Sequence, residues 1–348
     1  MNLPSGRRPH ATTPRERLVG RGAADNPANR FDEIVLDDTD DSFVDPTDEG
    51  DPPALRTRFY HDHSRTVFST NTSPDIPFDT SLNPYRGCEH GCAYCYARPT
   101  HEHLGFSAGL DFETRVLVKS DAPELLRREL GSKRWTPQVV ALSGVTDAYQ
   151  PVERRLRLTR RCLEVFAEFR NPVTIVTKSA LVTRDVDILG AMASWSGAAV
   201  HVSVTTLNDD RWRAREPRTA SPRRRLDAIS TLAAAGVPVG AMIAPIIPGL
   251  NDPEIPALVA AAADAGARTA APIVLRLPHG LAPLFEDWLD RHAPGRRQKV
   301  MNRVRALRAG RTNDATFHTR MRGSGVFADQ IEALFTLACR RAGLSRAR

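Results

Sequence analysis

The feature that most constrains this chain is an alternation. Short runs rich in β-branched and apolar residues fall at 79–83, 139–143, 173–177, 200–204, 237–244 and 272–277. Between them lie amphipathic stretches at 122–130, 156–169, 184–193, 222–235, 253–265 and 281–292. Strand followed by helix, repeated about six times, buries its apolar faces as a parallel sheet with helices packed outside it. Right-handed crossovers close such a chain into a full or partial barrel, or leave an open doubly wound sheet. In both, the active site belongs at the carboxyl ends of the strands. No GxGxxG follows the first strand, which weakens the dinucleotide-binding version.

The 348 residues, 41% of them hydrophobic, suit one barrel-sized domain with tails or two ordinary domains. Residues 1–55 read as a disordered acidic and basic tail. Pro and Gly are scattered there, aromatics are scarce, and 31–51 carries many acids without Lys or Arg. That acidic block is a solvated tail or a screen for a basic cleft elsewhere in the chain. Residues 56–78 lead into a barrel expected over 79–310. Residues 311–348 form a cap, with a glycine-rich turn at 321–325 and a helix at 328–341. No apolar run approaches the ~18 residues of a membrane span, and the basic N-terminus lacks an apolar signal core. The expectation is a soluble, cytoplasmic protein. A net charge of +7 is compatible with a nucleic-acid partner, and better explained by an arginine-rich, lysine-poor composition.

Five cysteines are present, and Cys88, Cys92 and Cys95 crowd into eight residues while Cys162 and Cys339 stand alone. An odd count with one tight cluster suits a metal site in a reducing compartment better than a disulfide scaffold. The spacing is C-x3-C-x2-C, just after the first expected strand. Three thiolates on a short loop can hold three irons of a [4Fe-4S] cubane and leave the fourth open to a ligand. Gly87 and Gly91 let the backbone turn around the inorganic core. Two alternatives remain: a zinc site completed by His90, His101 or His103, and cysteines serving as small buried hydrophobes. The loop's place at a strand end favours the cluster. Cys162 lies three, four and seven residues before Val165, Phe166 and Phe169, which is a core face. Cys339 reads the same way.

With Tyr94 in its aromatic slot, this pattern resembles the radical S-adenosylmethionine superfamily over about residues 66–341. The closer resemblance is to the spore photoproduct lyase-like branch, also described as DNA repair photolyase-like, and within it to a subgroup of unestablished activity. It is carried by Cys92-Ala-Tyr-Cys-Tyr-Ala-Arg, Ser143-Gly-Val-Thr-Asp-Ala-Tyr-Gln-Pro-Val-Glu, Thr177-Lys-Ser, Ser203-Val-Thr-Thr, Glu216-Pro and Ala244-Pro-Ile-Ile-Pro-Gly-Leu-Asn-Asp. The resemblance implies an α/β partial (βα)6 TIM-like barrel. It also implies a [4Fe-4S] cluster whose open iron is chelated by the methionyl amino and carboxylate groups. One electron from a flavodoxin- or ferredoxin-type donor then cleaves the sulfonium to a 5′-deoxyadenosyl radical.

The resemblance assigns cofactor contacts residue by residue. Ser143 and Lys178, at successive strand ends, match groups that meet the methionyl carboxylate, and Ser203 in the fourth strand matches one that contacts the same end of the cofactor. Asp147 would orient that end, and Glu216 would reach the amino group or the ribose. Each has an ordinary alternative as a strand-end hydroxyl, a solvated lysine or a helix cap. The apolar run 237–247 would shelter the adenine. Tyr94 and Tyr96 occupy positions implicated in radical transfer in the lyases, or pack the cluster. One position departs from the lyases: Leu142 stands where they carry the cysteine that returns a hydrogen atom to the product. Photoproduct repair is therefore disfavoured and the substrate stays open. Two further classes are a zinc-stabilised nucleic-acid-binding protein and a regulator whose cluster does no chemistry. Neither needs a carboxylate-binding groove.

Overall fold

The structure is a computed structural model, and it describes residues 21–31, 43–44 and 56–346. Its main sheet contains six parallel strands in chain order: β1 (Thr80–Leu82), β2 (Val140–Leu142), β3 (Val173–Thr177), β4 (Ala198–Ser203), β5 (Val239–Ile246) and β6 (Thr269–Val274). Each crossover moves one strand onward in the same direction. That is the winding of a barrel; a doubly wound sheet reverses partway. Closure is incomplete. Phe68–Thr70 pairs antiparallel outside β1, and Ser345–Arg346 pairs parallel outside β6.

Residues of alternate parity divide the two faces of the sheet. Leu82, Leu142, Ile175, Val200 and Val239 lie side by side across five strands and are all buried. They share one core with Leu126, Leu163, Phe166, Leu189, Ile229 and Leu232 from the outer helices. Each such side chain removed from water contributes ~1.5–3 kcal/mol. Thr174, Val176, Ala199 and His201 take the other parity and are only partly buried. They line the concave side, and the next positions of that parity along β3 and β4 are Lys178 and Ser203.

Helices at Ala122–Leu130 and Leu281–His292 begin and end where the apolar periodicity places them. Capping sharpens another: Ser221 accepts from Arg224 N, with Pro222 opening the helix Pro222–Ala234. β6 begins three residues earlier than the sequence suggests. Thr269-Ala-Ala carries little strand signal, and Leu275 and Leu277 leave the sheet for a second apolar cluster. β5 runs through Pro245, and its pairing with β6 shifts register between Ile243 and Ile246, where proline offers no N–H. The C-terminal helix Val326–Ala342 packs on Ile255–Asp264, as a cap should.

Two features depart from the sequence reading. A second sheet joins Phe43–Val44, Arg58–His61, Arg115–Val118 and Tyr85–Arg86. It was missed because its strands are two to four residues long, too short for a period to register. Residues 21–31, expected to lie in a disordered tail, pack on the barrel instead. Gly22 N and Ala23 N donate to the Glu113 carboxylate at 3.1 and 2.9 Å, Leu110 N donates to Asp25 O, and Arg30 pairs with Glu102 at 2.6 Å. The rest of the expected tail (1–20, 32–42 and 45–55), including nearly all of the acidic block, lies outside the described residues.

Candidate active site

Tyr85–Arg86 delivers the chain to the cysteine loop just beyond β1. Gly87 and Gly91 have φ of 83° and 60°, and a Cβ on Gly91 would stand 2.6 Å from Glu113 Oε2. Both turns therefore require glycine. The loop is pinned by backbone bonds: Cys88 N to Phe112 O at 2.8 Å, Ala93 N to Arg215 O at 3.0 Å and Cys95 N to Cys92 O at 3.2 Å. Behind it, Arg98 is 1% exposed and donates to Cys92 O, Ala108 O and Gly109 O while pairing with the fully buried Glu113. From the β2 side, Gln150 accepts from Glu89 N, and Glu89 Oε2 accepts from Val152 N at 2.7 Å.

Cys88, Cys92 and Cys95 are free thiols on this loop. Burial, then the carboxylate of Asp147 and the other two thiols, pushes the Cys88 thiol well up. Burial and Glu216 push Cys92 up as well. Thiols so close that they oppose one another's ionisation are suited to a cation that takes them as thiolates. Among the described residues no three His, Cys, Asp or Glu side chains converge closely enough for a single metal ion. His90 faces Asp147 at 3.4 Å, His101 lies against Phe106 and Phe112, and His103 stacks on Phe31. Among the described residues no Cys3His zinc set forms. A cubane accepts thiolates at separate corners, and the donor set fits it.

The remaining expected site residues ring this loop. Ser143 ends β2 with a φ of 80°, rare for a residue with a Cβ, and its Oγ accepts from Ala148 N at 3.0 Å. Asp147 accepts from Thr177 Oγ1, Lys178 N and Tyr149 N at 2.7, 2.7 and 2.9 Å. Burial opposes its charge, yet His90 and the backbone donors hold its carboxyl down at about 2. Asp147 thus staples the end of β2 to the end of β3. Lys178 sends its ammonium toward the Tyr94 ring, 5.9 Å from the centroid, and no carboxylate among the described residues lies within ion-pair distance of it. Ser203 is 2% exposed at the end of β4, with its carbonyl accepting from Arg225 at 3.0 Å. Glu216 is fully buried and accepts from Tyr94, Thr205 and Arg225. Burial raises its carboxyl against the pull of Arg225. Tyr96 is half exposed, and its hydroxyl donates to Gly144 O at 2.7 Å.

Ser143, Lys178, Ser203, Asp147 and the cysteines are therefore gathered at one end of the barrel, with Glu216 behind Tyr94. Leu142 is not at the opening. It is fully buried on the helix-facing side of β2, so the side chain that reaches the mouth there is Ser143. Cys162 and Cys339 lie in the helix-facing core, as their periodicity implies. Sequence reasoning missed Arg98, Glu113, Gln150 and Arg225. These are polar residues buried through bonds to loop backbone and to one another, and no periodic pattern marks them.

Residues 82–262, more than half of the chain, match the model of the Radical SAM superfamily. An uncharacterized protein of Mycobacterium tuberculosis is 36% identical over 234 residues, 67% of this chain and 68% of that protein. One of Methanocaldococcus jannaschii is 32% identical over 173 residues, 50% of this chain and 62% of its own length. Among solved structures, spore photoproduct lyase complexed with dinucleoside spore photoproduct superposes with a TM-score of 0.61, at 15% identity, over 83% of this chain and 80% of the lyase. A mutant of that lyase with bound AdoMet and the same photoproduct gives 0.58 at 16% identity, with the same coverage. Thiol loop, barrel and family model agree on an enzyme built around an iron–sulfur cluster and S-adenosylmethionine. The chain belongs to the radical SAM superfamily, whose members use a [4Fe-4S] cluster and S-adenosylmethionine and draw an electron from a reductant. No helix among the described residues is long and apolar enough to cross a membrane.

Proposed function

We propose that Cys88, Cys92 and Cys95 hold the cluster, and that Ser143, Lys178 and Ser203 receive the methionyl carboxylate of S-adenosylmethionine. When bound, the cluster and cofactor supply a 5′-deoxyadenosyl radical that abstracts hydrogen from a substrate. One observation carries the reading. The Lys178 ammonium projects from the end of β3 beside Tyr94 and Cys92, and among the described residues no acid pairs with it. A cation left unmatched there is suited to an incoming carboxylate. Ser143 adds a hydroxyl from a sparsely populated backbone conformation, a kind of strain that collects at functional sites. Asp147 fixes the backbone of Lys178 and so sets where its side chain starts. Glu216 acts through Tyr94, holding the phenol from behind, in place of the direct cofactor contact first expected. The apolar β5 shelters the adenine, and a flavodoxin- or ferredoxin-type protein supplies the electron. Radical transfer through Tyr94 or Tyr96 remains part of the proposal. Tyr96 is the better placed, because it is half exposed at the opening while Tyr94 is buried.

The test is anaerobic reconstitution with iron, sulfide and dithionite, followed by assay of 5′-deoxyadenosine. About four irons per chain are expected. Ala at Cys88, Cys92 or Cys95 should remove them, and Ala at Cys162 should not. Stoichiometric zinc without iron would end the reading.

Repair of a spore photoproduct is the weaker reading. Such repair needs a hydrogen atom returned to the product radical, and no thiol besides the proposed cluster ligands lies at the mouth among the described residues. Incubation of reconstituted enzyme with the dinucleoside photoproduct should yield 5′-deoxyadenosine but little repaired dinucleoside. Rapid repair would promote this reading, and with it a nucleic-acid partner.

A further inference from the structure

Arg276 lies two residues beyond β6, on the far side of the opening from β2. Its guanidinium stands over the Tyr96 ring at 5.9 Å, and among the described residues its Nη1 reaches only the Met321 thioether, at 3.4 Å, while its buried Nε has no partner there. No carboxylate among the described residues comes within ion-pair distance of it. Its two arginine neighbours are treated differently. Arg320 pairs with the buried Asp75 and donates to Ser73. Arg308 donates to the carbonyls of Thr319, Val274 and Leu275. The chain thus supplies anions or carbonyls to the cations on either side and leaves Arg276 with a sulfur and an aromatic face. Withdrawing a charge from water without a counter-charge is unfavourable, and burial already lowers the affinity of Arg276 for its proton.

The position gives this cation a use. Tyr96 follows Cys95 directly, and its hydroxyl is tied to Gly144 beyond β2, so its ring lies between the cysteine loop and β2 with the Arg276 guanidinium over its face. A molecule that reaches Tyr96 therefore lies next to the cysteine loop and beside Arg276. We propose that the substrate carries an oxyanion, a phosphate ester or a carboxylate, that docks on Arg276. A planar, permanently charged fork suits either group. This inference rests on the reading of the opening as the radical site, and it adds to it the chemical class of the molecule acted on.

Phenylglyoxal labelling of the reconstituted enzyme, mapped by peptide mass spectrometry, tests it without any substitution. Labelling is run with added inorganic phosphate, acetate or chloride at equal ionic strength, and separately with S-adenosylmethionine. Phosphate at about ten times its dissociation constant should slow labelling of Arg276 about tenfold. The Arg320 peptide serves as the paired control and should not respond. Protection by phosphate alone assigns a phosphate ester, and protection by acetate assigns a carboxylate. Protection no greater than with chloride overturns the proposal, as does an Arg276 that never reacts. Protection by S-adenosylmethionine alone also overturns it and transfers Arg276 to the cofactor. Iron content and 5′-deoxyadenosine are measured on the same preparation, so loss of the enzyme reading is seen separately from loss of the anion site.

Discussion

The Tyr94 hydroxyl donates to the carboxylate of Glu216, 122 residues away in sequence. Through that bond the cysteine loop is joined to Arg225, and through Arg225 to the carbonyl of Ser203 at the end of β4. The loop is therefore anchored from the side opposite Arg98, and its shape is set by protein–protein bonds on both flanks.

Tyr94→Phe removes that anchor and leaves the buried Glu216 short of one donor. A lost bond to a charged group costs about 1.5–3 kcal/mol. Chemical denaturation of the apo-protein should show a loss of that size, while iron uptake is retained because no thiol moves out of the loop.

Arg98→Met should be more damaging. It strands Glu113 as an unpaired buried charge and uncaps the carbonyl of Cys92, and breaking a buried pair typically costs about 3–5 kcal/mol. Denaturation midpoints should fall accordingly. The double variant Arg98→Met with Glu113→Leu should recover part of the loss, although Glu113 also holds Gly22 and Ala23.

Gly91→Ala places a Cβ against Glu113 Oε2 at a backbone angle that disfavours it. The cost of holding alanine at positive φ alone is about 1–2 kcal/mol, before the clash is counted. The expected result is a folded protein, by circular dichroism, that takes up less iron on reconstitution than the parent.

Lys178→Ala should weaken S-adenosylmethionine binding more than it weakens folding. A charge-assisted bond contributes about 1.5–3 kcal/mol, or about ten- to a hundred-fold in affinity. Equilibrium dialysis of the reconstituted variant against the labelled cofactor measures it, with Lys178→Arg expected to fall between variant and parent. Equal affinity in Lys178→Ala and parent would remove Lys178 from the site.

The barrel was legible because its strands and helices carry strong periods, and Lys178 and Ser203 were legible as candidates because the resemblance matches them at strand ends, where the structure puts them on the concave parity of β3 and β4. Position 142 shows the limit. Leu142 and Ser143 are adjacent, and a sequence does not say which of two neighbours at a strand end turns into the mouth. That depends on the positive φ of Ser143, which no residue preference predicts. The buried pair Arg98–Glu113 was illegible for another reason. Its value comes from carbonyls and amides supplied by three separate segments, around Cys92, Ala108–Gly109 and Gly22–Ala23, and no local pattern announces that they meet.

The bonds from Gly22 and Ala23 to Glu113 carry a practical consequence. The same carboxylate that receives them pairs with Arg98, which holds the carbonyl of Cys92. Any opening of the cysteine loop disturbs that carboxylate and frees the two amides to exchange with solvent. Gly22 and Ala23, with Gly22 lying against Gly91 and Ala93 of the loop, are thus a gauge of the proposed metal pocket. Their deuterium uptake should record whether the pocket is loaded or empty from a stretch of chain that supplies no ligand to it.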